Sequence, residues 1–114
     1  MLLEPGSKVL IVHRRLFDRD RSRHFVGTVH HYENGIAKVT GHTWTQDTFN
    51  GNFKKKQDRR MKIIPLSSGT LIVYEIPTEV SLESITYENT PNGKLWIQDE
   101  TGWKMDLTEF WHRE

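Results

Sequence analysis

Apolar and polar residues alternate in short runs along this chain, and no stretch sustains the 3.6-residue period of an amphipathic helix. The alternation predicts strands. Lys8 to Phe17, after a turn at Pro5-Gly6-Ser7, puts Val9, Ile11 and Arg15 opposite Leu10, Val12 and Leu16. Residues 24–41, HFVGTVHHYENGIAKVTG, set two further runs on either side of Asn34-Gly35, the pair best suited to the two positive φ angles of a type I′ turn. That turn implies a register in which Glu33 faces Ile36, Tyr32 faces Ala37, His30 faces Val39 and Thr28 faces Gly41. One face then carries Val26, Thr28, His30, Tyr32, Ala37 and Val39. The other carries Phe25, Gly27, Val29, His31, Ile36, Lys38 and Trp44, with Gly27 placed for a bend or bulge.

Residues 45–58 read as a polar loop with Asn50-Gly51 at its centre, a second hairpin tip lined by lysines. A short strand to Leu66 follows, then a tight Ser67-Ser68-Gly69 turn and a strand from Thr70 to Ile76, with Pro65 marking an edge or bulge. Thr78 is placed to cap a single helical turn through Leu82. Beyond it, strands at Ile85–Asn89, Leu95–Gln98 and Trp103–Leu107 alternate with turns at Pro91-Asn92-Gly93 and Asp99–Gly102. Turns about ten residues apart have the rhythm of a barrel or sandwich. The expected fold is therefore all-β, a small barrel of strongly bent antiparallel strands over about 8–77 with a C-terminal β-meander over about 85–107, in one domain of 114 residues.

Composition narrows the chemistry. There is no cysteine, so disulfides and thiolate metal sites are excluded. No apolar stretch approaches the ~18 residues of a membrane span and no secretory leader is evident, which points to a cytoplasmic protein without a membrane partner. The net charge of +1 hides a split: residues 1–74 hold thirteen Lys/Arg against six Asp/Glu, and residues 75–114 hold three against nine. Two segments, 13–24 and 53–62, contain eleven of the sixteen Lys/Arg. Lysines and arginines interleaved with Phe17, Trp44, Phe49 and Phe53 are what a binder of single-stranded nucleic acid presents, charges for phosphates and rings for bases. The candidate contacts are Arg14, Arg15, Arg21, Arg23, Lys54, Lys55, Lys56, Arg59 and Arg60. The same charges could instead pair with the acidic tail or simply face solvent.

Enzyme signatures are missing. Adjacent His30 and His31 point to opposite faces of a strand and cannot share a metal, and no HExxH, GxSxG or phosphate-cradling glycine loop occurs. The carboxylate pairs Asp18/Asp20 and Asp99/Glu100 lack a neighbouring partner for acid–base work. No catalytic residue, metal or cofactor is expected. Trp96, Trp103 and Trp111 crowd the C-terminal region, and Phe110 with Trp111 is a candidate anchor for another subunit.

The stretch Phe25-x-Gly27-x-Val29-x-x-Tyr32-Glu33 resembles the second strand of Sm-like proteins, and Gly69 followed by Leu71, Ile72, Val73 and Ile76 resembles their second motif. The opening Pro5-Gly6-Ser7-Lys8-Val9 is also similar to the start of other SH3-like barrels, Tudor-type modules among them. The resemblance implies an SH3-like barrel of five bent strands and assembly in rings through strand edges. It does not extend to the family's usual RNA site: the turn that carries the family's Asp and Asn has Glu33 and a tighter Asn34-Gly35 here, and Ser68 rather than Arg precedes Gly69. The expected function is a non-enzymatic module that forms homo-oligomers or binds other proteins. The alternative is binding of RNA or single-stranded DNA through the two basic segments.

Overall fold

The computed structural model describes residues 3–14, 22–47 and 49–108. The chain divides into two compact units, Met1–Glu79 and Val80–Glu114. Both are built from antiparallel strands. Among the described residues no helix is long and apolar enough to cross a membrane.

Among the described residues the first unit has six strands: β1 (Lys8–His13), β2 (Arg23–Glu33), β3 (Ile36–Gln46), β4 (Phe53–Lys55), β5 (Arg60–Pro65) and β6 (Leu71–Ile76). They form one sheet in the order β4-β3-β2-β1-β6, and β5 pairs with the other half of β3's outer edge. The expected closed barrel is not found. Among the described residues the sheet is open, since no ladder joins β5 to β6. The first strand is shorter than expected: it stops at His13, where the Arg14 amide turns to donate to the Thr70 carbonyl at 2.8 Å. Residues 15–17 lie outside the described residues.

Asn34 at φ 50° and Gly35 at φ 78° make the tight turn that the sequence predicts, and Glu33↔Ile36 and Tyr32↔Ala37 follow from it. The expected register holds through His31, which faces Lys38, and then fails by one residue. His30 is bulged out, so Val29 faces Val39, Thr28 faces Thr40 and Gly27 faces Gly41. The inserted residue reverses which side chains point inward. Phe25, Gly27 and Val29 therefore share a face with Tyr32, Ala37 and Val39, and His42 sits opposite Val26 rather than Gly27.

That face holds the main core: Val9 and Ile11 from β1, Phe25 and Val29 from β2, Ala37 and Val39 from β3, Ile64 from β5, and Leu3. Each fully buried side chain of this size contributes roughly 1.5–3 kcal/mol. The paired glycines let the backbones of β2 and β3 approach closely. A Cβ on Gly27 would lie 2.3 Å from the Thr40 carbonyl oxygen, and one on Gly41 only 1.9 Å from that of Val26. Along β3 burial then changes sides: Ala37, Val39 and Gly41 are buried, but farther along it is Trp44, on the opposite face, that is buried. Leu10, Val26, Ile76 and His24 are buried on that opposite face too. Trp44 thus departs from the expected placement beside Phe25.

The second unit is the expected meander with slightly shorter strands, β7 (Thr86–Asn89), β8 (Leu95–Gln98) and β9 (Lys104–Asp106). The helical turn expected at Thr78–Leu82 forms later, as a single 3₁₀ turn at Leu82–Ser84. Among the described residues of this unit the buried apolar ones are Val80, Ile85, Ile97 and Leu107. The β8–β9 turn is organised by the buried Asp99, whose carboxylate accepts from the amides of Ser81 (2.9 Å), Thr101 (3.0 Å) and Trp103 (3.3 Å) and from the Thr101 hydroxyl (2.7 Å).

Candidate nucleic-acid interface

Burial changes sides along β3, and among the described residues the far end of the core face is occupied mainly by polar side chains, with Leu71 opposite His13. In β1, β2, β3 and β4 the residues directly across from one another there are His13, Arg23, Thr45 and Lys54. One row farther in stand Ile11, Phe25 and Thr43, with the Lys56 amide donating to the Thr43 carbonyl at 2.8 Å. From β5, Arg60 faces Gly41 and Lys62 faces Val39, so both belong to this same face. The two basic segments, some thirty residues apart in sequence, converge.

Lys62 fixes the centre of the cluster. Its ammonium lies 4.7 Å from the centroid of the Phe25 ring and 3.4 Å from Thr43 Oγ1. The stem of the side chain covers apolar surface while its charge faces the polar row. Burial, with Arg23 and then Arg60 nearby, lowers the Lys62 pKa, and burial with Arg23 and Lys62 nearby lowers that of His13. These groups are close enough to repel one another. Among the described residues none of His13, Arg23 and Lys62 comes within ion-pair distance of a carboxylate, whereas Arg60 meets the exposed Asp58 at 3.2 Å.

The expected contact residues are sorted by this geometry. Arg23, Lys54 and Arg60 share the core face, and Arg14 follows β1 as an exposed residue beside the row. Lys55 faces Trp44 and so belongs to the opposite side of the sheet. Lys56 and Arg59 are exposed in the β4–β5 connection. Arg15 and Arg21 lie outside the described residues, as do Phe110 and Trp111. Of the aromatics, Phe49 is 98% exposed at the β3–β4 tip, while Phe53 stacks on the buried His24 at 4.7 Å.

His13 and Lys62 were not among the residues singled out from the sequence. The signal for Lys62 was present, since it closes the second basic segment, but only the β3–β5 register sets it beside Phe25. His30 and His31 do not converge with other ligands; His31 pairs locally with Glu33 at 2.9 Å. Among the described residues no group of three His, Asp or Glu side chains could hold a metal ion. No protein family matches this chain, and no curated protein or solved structure is significantly similar to it.

Proposed function

We propose that this chain is a non-enzymatic β-sheet module of the Sm-like or SH3-like kind that assembles with further copies of itself through the free edge of β5. The five principal strands in the antiparallel order β5-β3-β2-β1-β6 support the family reading. The exposed edge carries the functional one. Among the described residues β5 pairs only with β3, and on it Ile63 is 72% and Met61 56% exposed, with Ile36 of β3 at 47%. An edge strand that offers unpaired backbone groups beside exposed aliphatic side chains invites a further strand. Light scattering on the full chain is expected to give a mass above the 13.5 kDa monomer, and Ile63→Lys with Met61→Lys is expected to return it to monomer while leaving it folded. A monomer at every attainable concentration removes this reading.

A second reading is favoured by the cross-strand row of His13, Arg23, Thr45 and Lys54: contact with single-stranded nucleic acid. Neutralising several phosphates releases counterions, so binding of an unstructured RNA or DNA is expected to weaken steeply with salt. Absence of binding at ~50 mM salt excludes it.

A further inference from the structure

We propose that the polar end of the core face, built from His13, Arg23 and Lys62 with Thr43, is a site for one doubly charged phosphate group, free or at the end of a chain. The inference rests on the same row as the nucleic-acid reading but requires a single dianion rather than a track of diesters. Three observations carry it. Lys62 is held in place by the Phe25 ring at 4.7 Å and by Thr43 Oγ1 at 3.4 Å, so its charge is positioned rather than free to wander. His13 and Arg23 stand directly opposite one another on β1 and β2, and Phe25, the residue beneath Lys62, is two residues on from Arg23 along the same face. Among the described residues no carboxylate pairs with any of the three.

Like charges gathered at a partly desolvated surface are costly unless an anion joins them, and a dianion offsets the repulsion better than the single charge of a diester. Charge-assisted hydrogen bonds from a guanidinium, an ammonium and an imidazole N–H match the three terminal oxygens of a phosphate monoester. The groups around His13 are Arg23 on β2, Lys62 on β5 and the apolar Leu71 on β6, with His24 of β2 also interacting with it electrostatically from the opposite face. Glu75, the acid of β6 on that face, stands opposite Val9, two rows from His13. A bound dianion therefore acts on the ring mainly against Arg23 and Lys62, and it moves the His13 titration upward.

The test uses the full chain with three probes: inorganic phosphate, a short single-stranded oligonucleotide carrying a 5′-phosphate, and the same strand with a 5′-hydroxyl. Saturable binding of inorganic phosphate is expected, with the His13 ring proton titrating at higher pH when phosphate is present. Lys62→Met, which keeps the stem on Phe25, and Arg23→Gln are each expected to weaken phosphate about tenfold, as loss of a charge-assisted bond does. Lys38→Gln, on the opposite face of β3, is expected to leave it unchanged. Because each of the first two changes relieves repulsion, both variants are expected to melt no lower than the parent without phosphate, which separates loss of the site from loss of the fold. Phosphate binding with tighter capture of the phosphorylated strand supports a chain end as the ligand; phosphate binding without that preference supports free phosphate. Phosphate binding with neither strand bound sustains the site and removes the nucleic-acid reading. No phosphate binding, or binding indifferent to both Lys62→Met and Arg23→Gln, overturns the site; equal capture of both strands without phosphate binding leaves only the nucleic-acid reading.

Discussion

At the scale of single residues, the two glycines that face each other across β2 and β3 do more than permit a bend. Any side chain on Gly41 would put its Cβ 1.9 Å from the Val26 carbonyl oxygen and 2.6 Å from the Gly27 Cα, both backbone atoms of the neighbouring strand. Neither can yield without parting the ladder. Gly41→Ala is therefore expected to destabilise the protein by about 3 kcal/mol or more, whereas Gly69→Ala, with nothing within 4 Å of its new methyl, should change stability by less than about 0.5 kcal/mol. Urea denaturation of the two variants compares them directly, and equal midpoints would contradict the close approach. Gly27 was legible in the sequence as an interruption of an apolar run. Gly41 was not, because its need arises only from its partner, and the partner is set by the one-residue bulge at His30.

At the scale of elements, turn chemistry was the most readable signal. Asn34-Gly35 has the positive φ angles its residue types predict, and Gly93 and Gly102 likewise adopt φ of +87° and +99° in the two turns of the meander. Strand ends were less readable, because they depend on which neighbouring strand continues to supply partners. The meander itself hangs on Asp99. Burial alone would raise its pKa, but hydrogen bonds from the Ser81 amide and from the hydroxyl and amide of Thr101, followed by the Trp103 amide, outweigh that and hold the carboxyl below its usual value of 3.8. A depressed carboxyl contributes stability above that value and loses it as the pH falls through the folded one. Asp99→Ala removes the acceptor from three backbone amides at once. Hydrogen exchange is expected to show faster exchange throughout β7, β8 and β9, with Asp99→Asn intermediate; unchanged protection would mean that the turn is held by something else.

At the scale of the whole molecule, charge and protonation act together. Residues 1–79 carry thirteen Lys/Arg against eight Asp/Glu and residues 80–114 carry three against seven, so +5 and −4 sum to the net +1 of the chain. Composition exposes that split. It does not reveal that Arg23, Lys54, Arg60 and Lys62 gather on one face, because this depends on the pairing of four strands and on burial changing sides along β3. Protonation works against the fold on acidification. Burial, and then the nearby His13, lower the His24 pKa from 6.5 to about 4. A histidine kept neutral in the folded state makes no demand above pH 6.5, and between there and about 4 the unfolded chain takes up the proton first, so stability falls by about 3 kcal/mol over that window. Thermal melts from neutral pH down to about 4.5 are expected to show this decline, with His13 adding in the same direction. His24→Phe is expected to remove most of the slope even if it alters the plateau, and an unchanged slope would assign the effect elsewhere.

The bulge at His30 also sets what changes in length this hairpin can accept. Side chains alternate along a strand, so deleting one residue anywhere between Arg23 and Val29 would turn the part of β2 before the deletion inside out relative to β1 and β3. Deleting His30 itself removes the one unpaired position and leaves the pairs on both sides facing as they do now. The hairpin thus holds a single spare residue at a known place, and a chain that loses it there can keep its core intact.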